Sequence, residues 1–135
     1  MVWLISQVKA MARDNIQPLF VTRPVPLTEA MDALSRPALP GEIRWLPVSR
    51  LHNEPNLDLM SPSQNLWFRA VHDLTHWKAN ADDTFEGELT VANAHLATAP
   101  ESIHWILWSE VACQAAVSID SGEFPEQKLA NVPIT

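Results

Sequence analysis

The sequence has little of three things that would point to common functional classes: cysteine, positive charge and long apolar runs. Its one cysteine, Cys113, excludes an internal disulfide and a cysteine-based zinc site. Nine basic against 16 acidic residues give a net charge of −7, which repels nucleic-acid phosphates and anionic lipid surfaces. The apolar start, Val2 to Ile5, breaks at Ser6, too soon for a signal-peptide core or a membrane span. We therefore expect a cytoplasmic protein that binds neither nucleic acid nor membrane.

Glycine is also scarce, at three residues, whereas apolar residues make up 47% of the chain and six of them are tryptophan. This composition is typical of a packed globular protein rather than a disordered one. A chain of 135 residues is long enough to bury roughly two thirds of the surface that its unfolded form exposes. We therefore expect a single domain.

Proline divides this domain, because eight of the 11 prolines lie within residues 18–62. Short apolar runs at residues 19–21 and 43–46 predict strands bounded by proline turns. Thr28 is the expected cap of a short helix between them. A helix over about residues 4–13 is also expected, with a strand as the alternative because its start is β-branched.

Helical spacing replaces the prolines from Ser61 onward. Three helices are expected, over about residues 61–79, 84–98 and 101–119, with Ser61 and Thr84 as caps of the first two. The predicted fold class is α+β, mainly α. A small proline-rich αβ part, residues 1–60, packs on this three-helix bundle, residues 61–122, and a tail follows over residues 123–135.

Two of these helices each place a pair of chemically useful side chains on one face. His72 and His76 are one turn apart, a spacing that lets two imidazoles reach one ion, as in zinc metalloproteases. Glu88 and His95 are seven residues apart and share a face of the next helix. Alone, however, the histidine pair is more typical of a solvated face, and the Glu88 and His95 pair is as typical of an ordinary boundary position.

The third helix is apolar nearly all round, which indicates a buried helix. Glu110 lies in the middle of it, one turn before Gln114. Burying an unpaired carboxylate costs on the order of several kcal/mol, so Glu110 must be protonated, paired with a cation such as Arg69, or bound to a metal. The alternative to a metal site is a buried hydrogen-bond network in which Glu110 pairs with Arg69.

In the metal hypothesis the ligands are His72, His76, His95 and Glu110, and Glu88 is either a further ligand or a catalytic general base. Imidazoles and carboxylates without thiolate suit zinc, iron(II) or manganese. A set of two histidines and one carboxylate leaves positions open for water or substrate, which favours a metal-dependent hydrolase.

Three short stretches carry a family resemblance. They are Phe68-Arg69-Ala70-Val71-His72-Asp73 with His76 three residues on, Gly87-Glu88 followed by His95, and Glu110-x-x-x-Gln114. Together they resemble a group of small, functionally unassigned phage-encoded proteins over most of residues 20–115. The chain departs from that group at Thr75, where glycine is usual, and at residues 115–117, where polar and aromatic residues are usual. The resemblance supports the choice of site residues and implies no known activity.

Two other functions compete with the metal-dependent hydrolase. An HD-type phosphohydrolase would use His52, His72, Asp73 and Asp120, which occur in the right order. A non-catalytic phage-type binding protein would keep a buried polar network and contact an unidentified small molecule or protein through tryptophan anchors. The candidate anchors are Trp3, Trp45 and whichever of Trp105 and Trp108 is exposed. A homo-oligomer is also expected, because a buried third helix in so small a domain needs covering.

Overall fold

The computed structural model describes residues 2–53, 60–109 and 111. The elements are α1 (Val2–Arg13), β1 (Ile16–Val21), α2 (Leu27–Ser35), β2 (Arg44–Ser49), α3 (Pro62–Ala79), α4 (Phe85–Thr98), a 3-10 turn (Glu101–Ile103) and α5 (His104–Trp108). The expected α+β, mainly α, class is confirmed. The third helix of the expected bundle is described only at its start, so the bundle stays a prediction. Among the described residues, no helix has both the length and the apolar character needed to cross a membrane.

The two strands pair in parallel, in a register that runs from Ile16 beside Arg44 to Val21 beside Ser49. Parallel neighbours need a crossover connection, and α2 provides it. The second strand runs past Pro47, although the expected strand ends before that residue. Within the described part of the chain the sheet has two strands, so each is an edge, where a proline is tolerated because its nitrogen faces away from the partner strand and removes no ladder bond.

The expected cap of α2 at Thr28 is wrong. The helix begins at Leu27, with Pro26 in the cap position and Thr28 already inside the first turn. The Pro26 carbonyl accepts from the backbone N–H groups of Glu29 and Ala30, at 3.0 and 3.3 Å. Proline fixes φ near its helical value, so the helix starts directly after it without a side-chain cap.

The caps of the two site-bearing helices are as expected. Ser61 and Gln64 form a reciprocal capping box at the start of α3, with Pro62 at its first position. The Thr84 side chain accepts from the Gly87 backbone N–H at the start of α4. These bonds fix where each helix begins and therefore which side chains face the neighbouring helix.

The core lies between the sheet and the helices, with α3 in contact with α1, α2, α4 and both strands. Its members include Trp3, Met11, Leu34, Leu46 and Leu107. Trp3 is therefore a core residue, 4% exposed, and its expected role as a surface anchor is wrong. Its indole ring packs against the side chains of Phe68 and His95.

The buried face of α4 also differs from the expected one. Apolar residues at helical spacing predict a buried stripe of Phe85, Leu89, Ala92, Leu96 and Ala99, but only Ala92 is fully buried, and Phe85 is 41% exposed. The buried side instead includes Gly87, Val91 and His95. The predicted face considers apolar residues alone. Polar side chains on facing helices also become buried when they are paired with one another.

Candidate metal centre

Helices α3 and α4 bring three side chains to one point. The His72 and His76 Nε2 atoms lie 3.2 Å apart, as the one-turn spacing on α3 predicts. Glu88, from the first turn of α4, places Oε2 3.1 Å from His72 Nε2 and Oε1 3.1 Å from His76 Nε2. Within the described parts of the chain, these three residues form the one group of histidine, cysteine and acidic side chains whose geometry suits a metal ion.

The separations match those around a small cation. Zinc binds histidine nitrogen at about 2.0–2.1 Å, so two ligand atoms at a tetrahedral angle are about 3.3 Å apart. The three donors here converge at 3.1–3.2 Å. The spacing is therefore that of a ligand set closing on one ion.

The hydrogen-bond pattern of His76 also favours a cation at the point where the three side chains converge. His76 Nδ1 lies 3.0 Å from the Ala81 carbonyl oxygen, which has no proton, so Nδ1 must carry one and donate. A neutral His76 then has a bare Nε2 that points at the Glu88 carboxylate and at His72. Lone pairs that face one another need either a proton or a metal cation between them.

The electrostatics of the cluster are correspondingly perturbed. Burial lowers the pKa of His76, but the hydrogen bond and the charge of Glu88 outweigh burial and raise it above its ordinary value. Burial alone would raise the pKa of Glu88, whereas the hydrogen bonds and charges of His72 and His76 lower it to about 2. Glu88 lies in the first turn of α4, where the helix dipole also favours a negative charge. Glu88 is therefore ionised at neutral pH and available as a ligand.

His95 lies behind His72 rather than at the point of convergence. Its Nε2 is 3.1 Å from His72 Nδ1, the nitrogen on the other side of that ring. The side chain is 2% exposed, and Trp3 and Phe68 pack against it with ring centroids 5.5 and 5.4 Å away. Burial, with the charges of His72 and His76, lowers the pKa of His95 to about 3, so its imidazole is neutral.

The other residues expected at the site are Glu110, Gln114 and Arg69. Glu110 and Gln114 lie outside the described residues, so their roles stay predictions. The Arg69 guanidinium, expected near Glu110, donates to the backbone carbonyls of Ser49 and Leu51 through Nη1 and to that of His52 through Nη2. Arg69 therefore ties α3 to the segment that follows β2.

Among the described residues, Asp73 is a further titratable group that feels the charges of this cluster. Burial raises the pKa of Asp73 to about 6, while the charges of His72, His76 and Arg69 act in the opposite direction. Of the other HD-type ligands, His52 is exposed in a left-handed loop position with φ 53°, and Asp120 lies outside the described residues. The converging donors do not include His52 or Asp73.

Sequence reasoning missed the groups that orient the histidines. Phe68 precedes His72 by one helical turn, so its place beside the site was readable from the spacing. The Ala81 carbonyl and Trp3 gave no signal, because a backbone acceptor and a contact across more than 90 residues leave no periodic trace. No family model, curated protein or solved structure matches the chain. Its function is therefore argued from the site.

Proposed function

We propose that this protein binds one divalent transition-metal ion through His72, His76 and Glu88. The observation that carries the proposal is the convergence of two imidazole nitrogens and a carboxylate within 3.1–3.2 Å of one another. His76 is 1% exposed, and Glu88 and His72 are 16% and 19% exposed. Buried charged groups of this kind are paired or coordinate metals.

The donor set favours zinc, with iron(II) and manganese as the alternatives. Two imidazoles and a carboxylate without thiolate suit these three ions better than copper(I). The near-tetrahedral spacing of the donors is the spacing that zinc adopts. Because the net charge of −7 concentrates cations around the protein, the surrounding field also supports cation uptake.

The site has the form of a catalytic rather than a structural centre. Structural zinc sites are closed by four protein ligands, whereas three ligands leave a position for water or substrate. The partial exposure of His72 and Glu88 gives that position access to solvent, while His76 closes the opposite side. A metal here would act as a Lewis acid on a substrate oxygen, so the reaction class that we propose is metal-dependent hydrolysis.

Glu88 is assigned as a ligand rather than as the general base. Both of its carboxylate oxygens are already directed at the two histidines, one at each. A base must instead reach a proton on the nucleophile from outside the ligand set. Glu110 stays a predicted additional ligand, and with it an open position would require an ion that takes more than four ligands. A phage origin stays the expectation that the resemblance supports.

The test is metal uptake by the full-length protein, purified without chelators and then offered zinc, iron(II) and manganese. We expect close to one equivalent of bound ion by elemental analysis. The variant Glu88→Gln should bind zinc more than about 100-fold more weakly, because loss of a ligand exceeds the effect of losing an outer-shell partner. The matched control is Glu86→Gln, which makes the same change at an exposed position of the same helical turn and should leave the affinity unchanged.

The outcomes separate the competing functions. Uptake below about a tenth of an equivalent after re-addition of all three ions would overturn the metal proposal. Metal loss in His52→Asn or Asp73→Asn with normal uptake in Glu88→Gln would favour the HD-type phosphohydrolase instead. Asparagine tolerates the left-handed conformation at residue 52, so that variant tests the side chain rather than the loop.

A further inference from the structure

Each ligand histidine presents Nε2 to the site and uses Nδ1 elsewhere. His76 Nδ1 donates to the Ala81 carbonyl at 3.0 Å. His72 Nδ1 lies 3.1 Å from His95 Nε2. Metal-binding histidines almost always donate their second ring N–H to an acceptor, which fixes the tautomer and the ring orientation. The Ala81 carbonyl fills that role for His76.

We propose that His95 fills the same role for His72, as a positioning residue that accepts the His72 Nδ1–H through its own bare Nε2. The inference rests on the proposed metal site and changes the role expected for His95, from ligand to partner of a ligand. It assigns a tautomer to each of the three histidines: a proton on Nδ1 and none on Nε2.

The geometry favours this arrangement over direct coordination by His95. The two nitrogens of one imidazole point away from each other, so an ion bound at His72 Nε2 is on the far side of the ring from His95. Once that ion uses the Nε2 lone pair, His72 Nδ1 must carry the proton. The nearest acceptor for it is His95 Nε2.

The surroundings of His95 suit a fixed acceptor. Trp3 meets its ring edge-on at an interplanar angle of 88°, and Phe68 packs against both His95 and His72. Trp3 is itself held by a hydrogen bond from Nε1 to Thr98 Oγ1, and that hydroxyl donates to the His95 backbone carbonyl. Orienting shells of this kind preorganise a site, because they lock the rotamers of the residues that bind.

The first measurement compares zinc affinity in two variants. His95→Leu removes the acceptor, and His95→Gln keeps an acceptor oxygen on a side chain of similar reach. We expect zinc binding to weaken about 10–100-fold in His95→Leu and by less in His95→Gln, with one zinc still bound in each. Equal weakening in both variants would overturn the positioning role, because rescue by an acceptor would then be absent.

The second measurement reads the tautomers directly in the zinc-loaded wild-type chain, labelled with nitrogen-15, from two-bond proton–nitrogen correlations. We expect His72 protonated at Nδ1 and metal-bound at Nε2, and His95 unprotonated and metal-free at Nε2. This pattern does not depend on how well either variant folds. A His95 Nε2 that is protonated or bound to the ion overturns this inference alone. A wild-type chain that takes up no zinc overturns the proposed function as well.

Discussion

The charge pair between Glu88 and His76 should give the metal-free protein a stability that rises and then falls with pH, and Glu88→Gln should abolish this dependence. The pKa of Glu88 is lowered from 4.5 to about 2 in the folded protein. Its stabilisation is therefore present above pH 4.5 and lost as the pH falls toward 2. The pKa of His76 is raised above 6.5, so its stabilisation is present below pH 6.5 and lost as the pH rises through the folded value.

Both contributions coexist between about pH 4.5 and 6.5. The fall in the pKa of Glu88 from 4.5 to about 2 corresponds to about 3 kcal/mol at 1.36 kcal/mol per pH unit. Because Glu88 keeps some contact with solvent, screening reduces the expected effect to about 1.5 kcal/mol. At about pH 5.5 the wild type should exceed Glu88→Gln in unfolding free energy by that amount. The difference should shrink toward zero as the pH falls to about 2, and it should shrink again as the pH rises above 6.5 through the folded pKa of His76.

Urea unfolding over a series of pH values on both sides of about pH 5.5, in the presence of a chelator, measures the difference. Glu86→Gln is the control: it removes the same charge from an exposed position, so its difference from the wild type should show no maximum. With excess zinc the gap between wild type and Glu88→Gln should reappear at the alkaline end of the series, since the ion replaces the proton between the carboxylate and the imidazoles. A gap that is the same at every pH without metal would refute the reasoning.

Two further predictions concern ligand binding and packing. Zinc at 100 times its dissociation constant should stabilise the wild type by about 2.7 kcal/mol, which corresponds to a rise in Tm of about 10 °C by calorimetry. Absence of a concentration-dependent rise would count against specific binding. Gly87→Ala should lower both Tm and zinc affinity, because an added Cβ overlaps the Asp82 backbone carbonyl. Gly41→Ala, where nothing lies within 4 Å but φ is +80°, should lower Tm and leave zinc affinity unchanged.

The local part of the fold was predictable because its signals are short in range. Ser61 with Gln64, Pro62 and Thr84 set the starts of α3 and α4, and each acts within one turn of its own position. The pairing of His72 and His76 follows from helix geometry alone in the same way. Sequence therefore identified both helices and the pair of histidines proposed as ligands on the first of them.

The contacts between elements were not predictable in the same way. The orientation of α4 depends on polar side chains that become buried only because partners on α3 meet them, and apolar patterning cannot register this. Trp3 reaches His95 from the opposite end of the chain. Glu110 was the residue on which the sequence argument for a site depended most. In the structure His72, His76 and Glu88 converge, and a metal site formed by these three residues does not require Glu110.

The turn between α3 and α4 couples the fold to the site. The Ala81 backbone N–H donates to the His76 carbonyl at 3.0 Å, a six-residue bond typical of a helix that ends in a left-handed residue, here Asn80. The Ala81 carbonyl then accepts from the His76 ring, so one residue caps the helix and orients a proposed ligand. At the other end of the turn, Thr84 and Gly87 fix the first turn of α4, directly before Glu88. The proposed ligands on both helices are thus held by one short connection, and any change that shifts this connection shifts the carboxylate relative to the two imidazoles.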